Sequence, residues 1–176
     1  DTPETIGEKW QMDVKYVPKA CDSRNEKEQC YQYTVIEEAS RKRFIYAYQE
    51  QSSYSTVDFF KRAIVYFGYA PNILQTNNGS EFTHTQKTKR IHPLDVFCST
   101  YGIVHKTIRP RTPWHNGKVE RSHRNDQERF YNHLNFYSFN DLQEQMKRYL
   151  YRSNNIPMAV LGWKSPNQKQ HELSGR

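Results

Sequence analysis

The sequence is poor in cysteine and has no long apolar run. Its three cysteines, Cys21, Cys30 and Cys98, form no Cys-x-x-Cys pair, so nothing supports a structural zinc site. Cys21 and Cys30 flank the polar run 22–29 and could approach each other across a hairpin. No signal peptide is present, which favours a reducing compartment where the cysteines stay thiols. No apolar run approaches the roughly 20 residues that span a bilayer. We therefore expect a cytoplasmic protein with no membrane partner.

A starting methionine is also absent, and a beginning at Asp1 suggests a fragment of a longer protein. The 176 residues suit one globular domain, with no repeat or second domain, and with peripheral tails at 1–7 and about 165–176. Disorder is disfavoured by 13 Tyr, 9 Phe and 3 Trp. The formal charge of +7 indicates a polyanionic partner, although a merely soluble basic surface would give the same balance.

The periodicity of apolar residues predicts an α/β arrangement around a mixed sheet, opened by an antiparallel meander. Predicted strands cover 8–17, 31–36, 43–49, 71–76 and 103–108; predicted helices cover 52–68, 93–101, about 118–134 and about 140–151. Ser52 or Ser53 can cap the first helix, and Asn140 or Asp141 the last. The tail beyond Asn154 is expected to wrap the surface.

Three positions place an acid or its near-isostere where catalytic carboxylates could belong. Asp13 lies mid-strand on the polar parity of a hydrophobic strand, and Glu120 lies in the first turn of the long helix. Asn77 follows a short apolar strand and precedes an Asn-Gly turn. Each also has an ordinary structural explanation: an ion pair or cap, a favourable helix-dipole position, and turn chemistry, respectively.

Four sequence blocks resemble those of the DDE integrase-core superfamily, most closely the transposases of bacterial insertion sequences, which are relatives of retroviral integrases. The blocks, in order, are WQMDVKYV, LQTNNGSEF, PWHNGKVERSHR and NNIPMAVLGWKSPNQ, and together they extend from Trp10 to Pro166. The resemblance implies a ribonuclease H-like fold, with a five-stranded mixed sheet flanked by helices. It also implies a catalytic core for metal-dependent DNA cleavage and strand transfer during transposition.

The resemblance maps the family's two aspartates and glutamate onto Asp13, Asn77 and Glu120, as catalytic and metal-binding positions. The expected cofactor is Mg²⁺, for which Mn²⁺ can substitute, with two ions once position 77 carries a carboxylate. Asp13 would then bridge both ions, and position 77 and Glu120 would each hold one.

Two features depart from the family pattern. Asn77 stands where the family has aspartate, and an amide is a poorer ligand for hard divalent cations than a carboxylate. It is either an engineered inactivating change or a sign of a decayed element, and the intact remainder of the motif favours the former. Glu120 lies 43 positions after Asn77, several more than is usual in the family. The extra residues fit the polar stretch 83–92, where an insertion would leave the site in place.

Basic, aromatic and polar residues around Glu120 are candidates for DNA binding, because such groups bind phosphates and stack on bases. They are Arg109, Arg111, Trp114, His115, Asn116, Lys118, Arg121, His123 and Arg124. A solvated helix face is the alternative explanation. Trp10 and Trp163, in contrast, are interpreted as packing residues.

Three functions stay open at this point. The first is an enzyme core acting on transposon ends and target DNA, near a bacterial nucleoid and as a homo-oligomer in the active complex. The second is a DNA-binding protein of the same fold that has lost catalysis, for which Asn77 is the main support. The third is an assembly module of a larger transposition complex. A helix-turn-helix domain that binds element ends is expected upstream in proteins of this kind.

Overall fold

A five-stranded mixed sheet forms the centre of the fold, as the sequence predicts. The computed structural model describes residues 2–25 and 27–175; Asp1, Glu26 and Arg176, which fall in the predicted tails and the 22–29 loop, lie outside the described residues. The strands are β1 (Lys9–Tyr16), β2 (Tyr31–Glu37), β3 (Arg43–Tyr48), β4 (Ile73–Thr76) and β5 (Val104–Thr107). Their order is β3-β2-β1-β4-β5. The first three pair antiparallel, whereas β4 runs parallel to both β1 and β5.

Five α-helices flank the sheet: α1 (Ser53–Phe67), α2 (Pro93–Thr100), α3 (Gly117–Arg129), α4 (Phe139–Ser153) and α5 (Pro166–Ser174). The first begins at the predicted cap, since the Ser52 hydroxyl accepts a hydrogen bond from the Ser55 amide. The last two differ from prediction. Ser138, not Asn140 or Asp141, caps α4. The C-terminal segment is not a surface tail but a helix, because Ser165 and Gln168 form a capping box that starts α5.

The helix α3 is shorter than predicted. It ends at Arg129, and a 3-10 turn follows at Tyr131–His133. Phe130 and Tyr131 are buried, and the Phe130 ring stacks on Tyr149 with centroids 4.7 Å apart. Packing of these aromatic rings therefore turns the chain before the helical sequence pattern runs out.

The two faces of the sheet differ in polarity, and this difference positions the site. Trp10 and Met12 of β1 are fully buried on one face, against α1. The prediction that Trp10 packs in the core is confirmed, whereas that for Trp163 is wrong, because 72% of its surface is exposed. Gln11 and Asp13 point to the opposite face, which α3 covers. The polar parity of β1 thus faces α3 and not solvent.

A buried ion pair fastens α3 to the sheet. The guanidinium of Arg43 on β3 donates two hydrogen bonds of 2.8 Å to the carboxylate of Asp126 on α3. Gln32 and Tyr149 donate to the same carboxylate, so its oxygens are fully engaged. This network fixes the rotation of α3 about its own axis and thereby fixes where Glu120 points.

All three cysteines are buried and free. The helices found in residues 2–25 and 27–175 are each too short or too polar to span a membrane.

Candidate active site

Parallel pairing of β1 with β4 brings two of the three predicted positions together. Gln11 lies beside Gln75 in this pairing, so Asp13 and Asn77, each two residues further on, lie at the same edge of the sheet. The Asn77 amide nitrogen donates a hydrogen bond of 2.9 Å to Asp13 Oδ1. Glu120, in the first turn of α3, lies close enough to Asp13 for its charge to act on that carboxyl.

The Asn77 side chain is engaged at both ends. Its nitrogen donates to Asp13, and its Oδ1 accepts a hydrogen bond of 2.8 Å from the Gly79 amide. The amide therefore stabilises the turn and supplies one of the hydrogen bonds that the buried Asp13 carboxylate needs. An aspartate at position 77 could keep the bond from Gly79 but could donate nothing to Asp13, so the two carboxylates would repel each other unless a cation lay between them.

The carboxyl of Asp13 is held in an electrostatically unfavourable place. Burial raises its pKa to about 7, a hydrogen bond from the Val14 amide opposes this, and the charges of Glu120 and Glu81 raise it further. The pKa of Glu120 is also raised, by partial burial. The electrostatic repulsion between these acidic groups would be reduced by a bound cation or by protonation.

Glu81 is a third acidic residue at the site, and the sequence analysis did not single it out. Its side chain is only 6% exposed, and among the described residues its carboxylate has no hydrogen bond or ion pair. Both carboxylate oxygens lie over Gly79, where a Cβ would approach them to 2.6 Å. Glu81 belongs to the block LQTNNGSEF, but nothing in that block shows that its carboxylate turns inward.

Two predicted DNA contacts lie inside the protein. Asn116 is 1% exposed and donates a hydrogen bond to the Met12 carbonyl. The Nδ1 atom of His123 lies 3.8 Å from Asp13 Oδ2, and its Nε2 is buried without a partner among the described residues. Burial lowers the pKa of His123 to about 4, so the ring is neutral at neutral pH. The buried Asn116 is not accessible to a phosphate, whereas His123, with 14% of its side chain exposed, mostly faces the inner wall of the site.

The remaining basic residues divide between the two flanks of α3. Arg124, one turn after Glu120, is exposed on the same flank. Lys118 projects from the side of α3 nearly opposite to Glu120, whereas Arg121 is rotated by about 100° from it. Both line a cleft, and the Lys118 ammonium lies 4.0 Å from Glu38 Oε2. Lys118 therefore does not share the Glu120 side of the helix, and DNA binding by these two residues stays a prediction. The loop residues Arg109, Arg111, Trp114 and His115 are exposed.

The residues present fit a divalent cation only in part. Asp13 and Glu120 offer carboxylate oxygens, which Mg²⁺ prefers, and the mutual repulsion at the site would be relieved by a cation. At position 77, however, the only oxygen already accepts a hydrogen bond, and the nitrogen is turned towards Asp13. Among the described residues, no group of three or more His, Cys, Asp or Glu side chains is arranged to hold a metal ion.

Known proteins match the chain in sequence and in fold. Two family models, both described as integrase core domain, match residues 4–113 and 101–166. The protein named "Putative integrase ORF3" of Spiroplasma virus SpV1-C74 is 30% identical over 153 residues, or 82% of this chain. The chain spans 42% of the length of that relative.

Solved structures share the fold at low sequence identity. The catalytic core domain of HTLV-2 integrase, in a trimeric form in complex with magnesium, has a TM-score of 0.69 at 19% identity; the match covers 95% of this chain and 98% of that one. A chain of the simian T-cell lymphotropic virus intasome, in complex with a PP2A regulatory subunit, has a TM-score of 0.73 at 16% identity, covering 97% and 56%. These likenesses confirm the predicted ribonuclease H-like fold. Because one family model alone covers well over half of the residues, the chain belongs to the integrase core domain family of the DDE integrase-core superfamily.

Proposed function

We propose that this domain is the catalytic core of a DDE transposase, which cleaves DNA strands and joins them with the help of Mg²⁺ or Mn²⁺. The observation that carries the proposal is the contact of Asp13 with position 77 at one edge of the sheet, with Glu120 of α3 close enough for its charge to act on the buried Asp13 carboxyl, whose pKa is raised to about 7. We further propose that the chain with Asn77 has little or no activity.

The proposed roles follow from the atoms at the site. Asp13 and Glu120 would hold the cation, and a carboxylate at position 77 would complete the set. A cation held there would polarise the phosphodiester and activate the attacking hydroxyl or water, and a carboxylate at position 77 would allow two ions to bind. Asn77 disfavours metal binding, because its amide N–H donates a hydrogen bond to Asp13 Oδ1, an oxygen that would otherwise be free to bind the cation. The mostly buried ring of His123 would line the inner wall of the site.

Similar proteins support a divalent cation and an oligomeric active form. The HTLV-2 integrase core was solved in complex with magnesium and in a trimeric form. By analogy, we propose that this domain acts as a homo-oligomer on transposon ends and target DNA. A bacterial insertion sequence is the proposed source, and the nucleoid is the proposed place of action.

A second candidate function is DNA binding or complex assembly without catalysis. The observation that favours it is the amide of Asn77, which already satisfies Asp13 in the absence of any cation. The two candidates differ in what a carboxylate at position 77 would do, because only an enzyme core should gain metal affinity from it.

Replacing Asn77 with aspartate is expected to tighten Mn²⁺ binding by roughly tenfold or more. Changes to residues that merely orient metal ligands typically cost about 10–100-fold in affinity, and a direct ligand should matter at least as much. Isothermal titration calorimetry of the Asn77 protein and the Asn77→Asp variant measures the difference. Asn78→Asp is the matched control, because it adds the same charge at an exposed neighbouring amide. Equal affinities for the Asn77 and Asn77→Asp forms would remove position 77 from the metal site.

The exposed arginine beside Glu120 is expected to contact duplex phosphate. Arg124→Ala should reduce the slope of log K against log salt by about 0.9, the value for one lost phosphate contact. The measurement is a salt titration of duplex binding followed by fluorescence anisotropy. Lys147→Ala, at an exposed position of α4, removes the same charge elsewhere and should leave the slope unchanged. An unaltered slope for Arg124→Ala would mean that this arginine faces only solvent.

A further inference from the structure

A cleft of about 900 Å³ lies on the flank of α3 opposite to Glu120. We call it the basic cleft and define it by the residues that it takes from β1, the β2–β3 turn, α3 and two loops: Lys9, Arg41, Lys118, Arg121, Trp114 and Trp163. It does not belong to the acidic site, because its helix residues lie on the other side of α3.

Positive charge in the basic cleft is only partly compensated. Glu38 is the only acidic side chain that lines it among the described residues. That carboxylate is buried and lies 3.4 Å from the Lys9 ammonium and 4.0 Å from that of Lys118. Burial lowers the pKa of Lys118, Glu38 opposes this, and the charges of Arg41, Lys9 and Arg121 lower it further. Several cations thus surround one carboxylate, an arrangement that favours an anionic ligand.

Two residues of the basic cleft occupy a backbone conformation that suits glycine. Arg41 has φ 62° and Trp163 has φ 65°, and they are two of the three non-glycine residues with positive φ among those described. Large L-residues adopt this region at a cost that glycine avoids. Such local strain tends to be found where the side chain has a function. Arg41 closes the β2–β3 turn, and Trp163 follows Gly162 in the loop before α5.

Aromatic surface flanks the charge. The side chains of Trp114 and Trp163 are 68% and 72% exposed, although tryptophan normally buries most of its area. Basic grooves that carry exposed aromatic rings bind single-stranded nucleic acids, because unpaired bases can stack on the rings while the phosphates contact the cations. A duplex keeps its bases stacked on one another, and the acidic side chains of a peptide carry no aromatic ring to stack.

We propose that the basic cleft binds single-stranded DNA, with phosphates on Arg41, Lys118 and Arg121 and a base stacked on Trp163. This proposal rests on the proposed function, because DNA cleavage at the acidic site is the source of the single strand. An α-helix is about 10–12 Å across, so a strand that leaves the Glu120 flank of α3 reaches the basic cleft by crossing the first turn of that helix. The basic cleft would hold the strand that is separated from its complement near the cutting site.

The test is anisotropy titration of a fluorescent oligo(dT) of about ten nucleotides, a length within the usual site sizes of single-strand binding proteins. It is done with EDTA and with the Asn77 protein, so catalysis plays no part. Trp163→Gly should weaken binding about fivefold or more. Arg41→Gly and Arg121→Ala should each reduce the salt slope by about 0.7. Both glycine variants relieve a positive φ, so their melting temperatures should be no lower than that of the parent protein.

Controls separate the basic cleft from general charge and aromatic effects. Lys147→Ala and Tyr54→Ala, at exposed positions of α4 and α1, should bind oligo(dT) like the parent protein. The proposal is overturned if the cleft variants bind oligo(dT) unchanged, or if poly-glutamate competes as well as oligo(dT). It is also overturned if duplex binding is equally strong and equally sensitive to Trp163→Gly. Any of these outcomes leaves the metal and cleavage tests untouched.

Discussion

The Asn77→Asp variant is expected to nick or join DNA at least about a hundredfold faster than the parent chain, in a metal-dependent manner. The other two acids are in place, and the backbone around position 77 already has the turn that a carboxylate there would use. One electrostatic interaction with the reacting centre is typically worth about 3 kcal/mol or more, which corresponds to a factor of a hundred or greater. The assay uses Mn²⁺ and a pre-processed or branched substrate, because such a substrate does not require recognition of element ends.

Two further substitutions and one control define this result. In the Asn77→Asp background, Asp13→Asn or Glu120→Gln keeps the shape but removes a charge, and either should abolish the gain. Asn78→Asp in the parent chain adds the same charge outside the acidic site and should give no activity. If Asn77→Asp stays inert while binding metal and DNA normally, the non-catalytic function becomes the better explanation.

Asp126→Asn is expected to lower the free energy of unfolding by about 3–5 kcal/mol. The substitution leaves the Arg43 guanidinium buried without its partner charge, and breaking a buried pair from one side is costly. Urea denaturation measures the change. Asp58→Asn is the matched control, since the pair of Asp58 with Arg62 is half-exposed and should change stability by less than about 1 kcal/mol. Equal small effects for both would mean that the Asp126 network does not fasten α3.

The same carboxylate predicts a pH dependence. Burial acts to raise the pKa of Asp126, but the charge and hydrogen bonds of Arg43 outweigh it and hold the pKa below its usual value. A carboxyl whose pKa is lower in the folded than in the unfolded state stabilises the fold at any pH above its unfolded-state pKa, which is about 3.9 for aspartate. This contribution is lost as the pH falls from that value through the folded-state pKa. The parent protein should therefore lose more stability than Asp126→Asn when both are titrated from pH 6 to about pH 3.

The sequence predicts the sheet well because its signals are local. Alternation along β1 and the turn after β4 place Asp13 and Asn77 at strand positions that parallel pairing must bring together. The capping box of Ser165 and Gln168 was an equally local signal for α5, and it could have been recognised from the sequence.

The parts that the sequence does not predict depend on the rotation of α3. Lys118 and Glu120 are two residues apart and so point to nearly opposite sides of the helix, but which side faces the acidic site depends on long-range contacts of Asp126. Glu81 was missed for a similar reason. Its burial over Gly79 results from the fold of the loop after β4, and no periodic pattern in the sequence reports it.

Anomalous diffraction from crystals of Asn77→Asp soaked in Mn²⁺ tests the claim that Asp13, position 77 and Glu120 form one metal site. We expect at least one manganese peak within bonding distance of carboxylate oxygens at position 77 and at Asp13 or Glu120, and a weaker or missing peak in the parent protein under the same conditions. Manganese bound elsewhere, or no peak at this edge of the sheet in the variant at saturating concentration, would contradict the claim.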